Sequence, residues 1–401
     1  MQVTATNSLV SDELYSQLLV AASASSFRNS GWGVNTSMWE TVMSGHDRFG
    51  INPIPPNHEV VGLTFITRPK LNLTSTSLKQ DRVLSTFDTT DPDSLMFALR
   101  CYLDTKFSRG LVAREAALCP FFADDSPFIL PLCNSIESIS GFPDFIIDTE
   151  TTSGGFFGED IAFARGSEMN YKAFDIEVGC RDIQGGIIAA LFLLWERYIA
   201  LVAKGYTTAY PEDIIARRIN YTCSIYRFVL DPSLRYITKW AKATGCFPQS
   251  FPIGNFFNFD RGQHYIHASE NFSIPFKVNV FEAMDPIILR EFNSLILEFS
   301  PSLLQTDAAG NVTTTRSNAP PSAQYNFCGI PLVDTWSGTN ELLWLCEQDE
   351  LEDPTETIIR QITDSITAPT STGDTVQYST DADTGIAVPN NSDEDSVVFS
   401  I

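Results

Sequence analysis

Apolar positions in this chain recur with distinct spacings, and each spacing predicts an element. Phe272, Ile274, Phe276, Val278 and Val280 alternate strictly, which predicts a half-buried strand. Val60 to Thr67 (VVGLTFIT) is rich in β-branched residues and predicts a second strand, closed by Pro69. Tyr221 to Leu230 predicts a third. Ile187 to Ala203 is the most apolar run. Glu196 and Arg197 interrupt it, so it predicts a buried helix and is too short to span a bilayer. Near the N-terminus, Leu14, Leu18 and Leu19 share one side of a helix predicted over Ser11 to Ser25.

Four Asp-Pro pairs punctuate the pattern: Asp91-Pro92, Asp231-Pro232, Asp285-Pro286 and Asp353-Pro354. Each offers a capping carboxylate and a proline suited to the first helical position, so each predicts a helix start. The first helix is expected to run to about Lys106. The second is expected to reach Thr244, stopped by Gly245. The third carries Ile287, Ile288, Phe292, Leu295 and Ile296, and the fourth Ile358, Ile359, Ile362 and Ile366.

Between these elements the composition changes. Asn52 to Asn57 (NPIPPN) is an extended lead-in, because three prolines remove donors. Gly141 to Gly166 is rich in Gly, Thr and Phe and is expected to mark a seam between domains. Phe247 to His267 is expected as a long ordered loop, and Asp307 to Ser322 as a mobile one. After Ile366 few apolar residues remain, and such a tail has too little core to fold alone. The 401 residues exceed what one core commonly serves. The expected class is α+β: a β-rich N-terminal domain, a mixed α/β domain with a buried central helix, and extended terminal arms. The expected division is an arm over 1–44, a β-rich domain over 45–150, a mixed domain over 151–350, and an acidic helix and tail over 351–401.

Charge narrows the function classes. The formal net charge is -23, with 26 Lys and Arg against 49 acids. Nucleic-acid binders neutralise phosphates with cations, so extensive direct nucleic-acid contact is not expected. After Leu345 there are 13 acids and one Arg, about half of the net charge. The eight cysteines form no CxxC pair and no targeting pattern opens the chain, so reduced thiols and no membrane anchor are expected. The 29 Phe need burial in cores or in subunit contacts.

Candidate chemistry is sparse. His264 and His267 form an HxxH pair with no third ligand nearby in sequence, where zinc needs three or four. Gly154 to Gly158 (GGFFG) lacks phosphate-loop spacing and predicts a turn between strands. Gly185 and Gly186 are expected to allow close backbone packing. Sequence-adjacent acids such as Asp124-Asp125 do not make the separated carboxylates of a glycosidase. No catalytic residue, metal or cofactor is expected.

The segment Asn57 to Leu73 resembles a motif of virion structural proteins from large tailed phages, GxTFxTRPxLNL after a proline-rich lead. Further blocks follow in order: Ser224-Ile225-Tyr226, Asp231-Pro232, Ile237 to Lys242, Thr244-Gly245, Phe247-Pro248, Ser273 to Phe276, Met284-Asp285-Pro286 and Glu291-Phe292-Asn293. Together they cover about 57–300. The resemblance implies a non-enzymatic structural part of a tailed-phage virion, of tail, neck, collar or baseplate. A capsid or head-decoration protein is the alternative, and an enzyme a remote one. It also implies partners among other virion structural proteins and copies of the chain itself, in the host cytoplasm during assembly and then in the virion.

The motif residues are Thr67, Arg68, Pro69, Leu71, Asn72 and Leu73. Arg68 suits bidentate clamping of a carbonyl or carboxylate. Asn72 suits turn amides, and Leu71 and Leu73 suit a core. Two readings stay open: a strand and turn that stabilise the fold, or a subunit contact. The terminal arms are the expected connectors between subunits.

Overall fold

In the computed structural model of the chain, the described residues are 61–110, 112–168, 173–182, 185–231, 234–257, 271–306, 312–314, 317–318, 329–335, 340–346, 378–380 and 387–389. The predicted arm helix, the NPIPPN lead-in, the Asp353-Pro354 helix, the HxxH pair and nearly all of the acidic tail lie outside them. So does most of the Asp307 to Ser322 loop. The chain divides into two compact units, Met1–Cys346 and Glu347–Ile401. Of the second, only the strand pair Tyr378–Thr380 and Ala387–Pro389 is described.

The first unit is α+β and is built on a seven-stranded antiparallel sheet. Its strands are β1 (Val61–Ile66), β2 (Ile136–Ser140), β5 (Phe174–Arg181), β6 (Cys223–Leu230), β7 (Ile237–Pro248), β8 (Asn271–Val278) and β9 (Val280–Ala283). They pair in the order β1-β6-β7-β8-β5-β2, with β9 on β7. Two intervening strands, β3 (Ile146–Thr151) and β4 (Ala162–Glu168), form a separate hairpin.

Strand alternation distributes side chains to two cores. On β6, Cys223 and Ile225 enter one core, while Tyr226, Phe228 and Leu230 enter the other. Adjacent residues of a strand point to opposite faces, so β6 is buried on both. The predicted β8 pattern holds: Phe272, Ile274, Phe276 and Val278 are all buried, opposite Cys180, Val178, Ile176 and Phe174 of β5. Val280, the last member of that alternation, instead begins β9 and is exposed.

The buried central helix is present as Ile187–Ala203. Ile188, Leu191, Trp195, Tyr198 and Leu201 recur every three or four residues and are buried against the sheet. Each such fully buried side chain stabilises the fold by about 1.5–3 kcal/mol relative to exposure. Gly185 and Gly186 do not serve close packing here. They have φ of +106° and +65° and no close neighbours, so they supply the left-handed turn that opens the helix.

The second core forms around the helix Pro286–Phe299, and here the Asp-Pro expectation holds. The Asp285 carboxylate accepts from Ile287 N at 2.9 Å, with Pro286 at the first helical position. Phe292 then sits 4.9–5.3 Å from the rings of Phe65, Phe128, Tyr226 and Phe228. A small sheet containing Ile330–Asp334 and Glu341–Cys346 joins this core, locked by Asn293, which bonds both the N–H and the carbonyl of Val333.

Asp231 and Asp91 depart from the expectation. The segment after Asp231 is the strand β7, not a helix. Asp231 Oδ1 accepts from the amides of Arg235 and Tyr236, closing a hairpin turn between β6 and β7. The same acceptor chemistry serves a turn as well as a helix start. Gly245 is an extra residue in the β6–β7 register, with φ +69°, so it makes a bulge where a helix stop was expected. At Asp91 the chain makes a turn, and the helix begins later, over Leu95–Leu103. Asp104 breaks it and caps a second short helix, Thr105–Arg109.

Candidate functional site

Two regions carry the chemistry most open to a functional reading. One is the motif segment Thr67 to Leu73, and the other is the hairpin β3–β4.

The motif segment leaves β1 and threads between three elements. Thr67 exchanges hydrogen bonds with Ser224: its N–H donates to Ser224 O at 2.9 Å, and its hydroxyl accepts from Ser224 N at 2.8 Å. Arg68 is 5% exposed. Its guanidinium donates to Cys101 O at 2.6 Å, Tyr102 O at 3.2 Å, Ser126 O at 3.3 Å and Ser108 Oγ at 2.7 Å. Cys101 and Tyr102 belong to the last turn of the helix Leu95–Leu103, so Arg68 satisfies orphan carbonyls there and opposes the helix dipole. The guanidinium also lies over the rings of Phe122 and Phe299. Burial lowers its pKa to about 10, with Asp124 acting in the opposite direction.

Pro69 is buried at the exit, and Leu71 and Leu73 are fully buried in the first core. Leu71 N donates to Leu103 O, and Leu73 N to the Asp104 carboxylate at 2.9 Å. Asn72 donates through Nδ2 to Thr208 O at 2.9 Å, and its backbone N–H donates to Tyr198 Oη. Asp104 is the second hub. It also accepts from Tyr210 Oη at 2.8 Å and from the amides of Lys106 and Phe107. Burial raises its pKa, and these donors act against the rise. Sequence reasoning singled out the motif residues but not Asp104 or Tyr210, which lie far along the chain and join the site only by folding.

The hairpin is the opposite in character. Every residue of β3 is exposed. Ile146 and Ile147 are adjacent, so they display apolar side chains on both faces of the strand. At the tip, Thr152 N donates to Ile161 O at 2.9 Å, and Gly155 N to Glu159 O at 2.7 Å. The Glu159 carboxylate accepts from Phe157 N at 2.9 Å. Gly158, with φ +78°, completes the turn. This ordered tip holds Phe156 and Phe157 edge to face, 5.2 Å apart, and leaves them 95% and 89% exposed. The GGFFG stretch is thus a turn between strands, as expected. Its presentation of two bare rings was not foreseen. The local signal was available: Thr-rich, β-branched flanks around a Gly-Gly-Phe-Phe-Gly turn.

The other candidate chemistry is quiet. Among the described residues Cys101, Cys119, Cys133, Cys180, Cys223 and Cys246 form no disulfide, and burial pushes the thiols of Cys101, Cys133, Cys180 and Cys246 up to about 12. Among the described residues, no group of three metal-ligating side chains gathers. No described helix is long and apolar enough to cross a membrane. Asp124 and Asp125 stay adjacent loop acids near Arg68.

A family model described as "Putative phage tail tube protein" matches residues 10–363. Parts of the chain are also similar to solved cryo-EM structures. One is the sheath/tube terminator of the extracellular contractile injection system PVC, extended state (13% identity, 37% of this chain and 84% of that one, TM-score 0.22). A second is the tube-terminating cap of the anti-feeding prophage (15% identity, 37% and 80%, TM-score 0.22). A third is the PVC sheath-tube complex, extended state (14% identity, 40% and 84%, TM-score 0.22). No curated protein matches the sequence.

Proposed function

Because the chain belongs to the phage tail tube protein family, we propose that it works in the tail as a tube-type subunit, by packing against further copies of itself. A structural component of a phage tail is what the family membership gives, and it fits the virion resemblance of the motif segment. The packing mode is our reading of the hairpin. It is carried by one observation, the ordered tip that holds Phe156 and Phe157 bare in solvent. Exposed apolar surface of this kind marks a contact waiting for a partner. A two-stranded hairpin is also marginal alone in water, so a partner face would stabilise it.

No catalysis enters this reading. Neighbouring virion structural proteins are the other partners, and host cytoplasm is where assembly takes place. The acidic balance keeps broad nucleic-acid contact out of the proposal. The test is the double variant Phe156→Ser, Phe157→Ser in the full chain. Thermal unfolding of the subunit should move by less than about 0.5 kcal/mol, since both rings are already exposed. Assembly, followed by sedimentation and electron microscopy, should fall sharply. Normal tubes from this variant would refute packing through the hairpin.

A further inference from the structure

The geometry points to a receptor for the hairpin on the chain's own surface, the stretch from Lys204 to Ile219, so that the hairpin of one copy seats on this patch of the next. This inference rests on the reading that the chain packs through its hairpin.

The patch matches the hairpin in both apolarity and charge. Tyr206, Ile214, Ile215 and Ile219 are exposed there, Ile215 to 82%. They surround the short helix Pro211–Ile215, whose own acids add no free negative charge: Glu212, exposed, is ion-paired with Lys106 at 2.7 Å, and Asp213 is buried. Lys204, Arg217 and Arg218 are exposed and have no ion-pair partner among the described residues. The outward charge of the patch is therefore positive. The hairpin is its complement. Between Gly141 and Gly166 it carries five acids, Asp144, Asp148, Glu150, Glu159 and Asp160, against Arg165 alone. Arg165 faces Glu150 at 3.8 Å, which leaves the rest negative. Two apolar surfaces of opposite charge, on a chain whose overall charge is -23, select each other over self-pairing of either one.

Backbone strain gives separate support. The helix Pro211–Ile215 ends with Arg217 at φ +53°, and Arg218 N donates back to Asp213 O at 2.8 Å. Glycine is the ordinary occupant of such a left-handed position after a helix, because it has no Cβ to strain. The chain holds an exposed arginine there instead. Held outward at this position, the Arg217 guanidinium has no ion-pair partner among the described residues and is available to a partner.

Hairpin and patch are different surfaces, so their contact is heterologous. Repeated head to tail, such a contact gives a closed ring or an open filament.

Charge reversal tests the pairing in the full chain. The pair Arg217→Glu, Arg218→Glu places acid against the acidic hairpin, and the pair Asp148→Lys, Asp160→Lys places base against the basic patch. Each should cut assembly about tenfold or more at unchanged thermal stability. All four changes in one chain should restore it. Parental assembly by the Arg217→Glu, Arg218→Glu chain, or no recovery in the fourfold chain, would overturn the inference. Either result would leave the Phe156 and Phe157 test of hairpin packing standing by itself. If the reversed chains unfold early, cysteine pairing decides. Copies with Phe157→Cys mixed with copies with Ile215→Cys should crosslink above the parental background, and equal yields would reject the receptor.

Discussion

The motif segment Thr67 to Leu73 and the hairpin β3–β4 share a chain but follow opposite rules. In the motif the guanidinium and the carboxylate that joins it are turned inward. Arg68 spends its donors on carbonyls of its own fold, and Asp104 gathers four donors at full burial. In the hairpin apolar groups are turned outward, with Phe156 and Phe157 bare and only local hydrogen bonds holding the tip. The first arrangement buries its chemistry within the fold, and the second displays apolar surface to solvent. A sequence motif that identifies a kind of particle can therefore be built into the fold, while the surface proposed for contact lies in a stretch that resembles nothing in particular.

Breaking the buried side should damage the fold itself. Arg68→Ala leaves carbonyls at the end of Leu95–Leu103 without donors and opens space beneath Phe122 and Phe299. A loss of about 4 kcal/mol in denaturant unfolding is expected, and Arg68→Lys should recover only part of it because an ammonium lacks the planar fork. A loss under about 1 kcal/mol would mean that Arg68 is not an anchor.

Tyr210→Phe removes a single donor from the Asp104 hub and should cost about 1 kcal/mol, with assembly of the folded chain intact. Reduced assembly at unchanged stability would mean that the Tyr210 hydroxyl serves the proposed contact rather than the Asp104 hub.

The smallest effect concerns pH. The Ser75 hydroxyl, followed by Arg100, holds the Asp88 carboxylate below its ordinary value. A lowered folded pKa gives stability that is present above the ordinary value of 3.8 and is lost as pH falls through the lowered one. Asp88→Asn should flatten that acid limb of the unfolding profile by less than about 1 kcal/mol. An acid limb identical to the parent's would remove Asp88 from the account.

Much of the fold was legible where one physical rule dominated. Strict alternation fixed β8, β-branched content fixed β1, and length with apolarity fixed the helix Ile187–Ala203. Asp285-Pro286 read correctly as a helix start because an amphipathic run follows it. Asp231 misled because a capping carboxylate serves a turn equally well, and only pairing with β6 selects the strand. The motif residues were legible as strand, turn and core leucines. Their partners Cys101, Ser126 and Tyr210 were not, since they arrive through long-range folding. The hairpin was hardest to read, because phenylalanine suggests burial, yet Phe156 and Phe157 stand exposed among the described residues.

Hydrogen–deuterium exchange on the full chain, before and after assembly, tests the contrast most directly. The account predicts that residues 67–73 are protected in both states, while residues 146–163 exchange readily in the free subunit and become protected in the tube. Equal exchange of the hairpin in both states would contradict it.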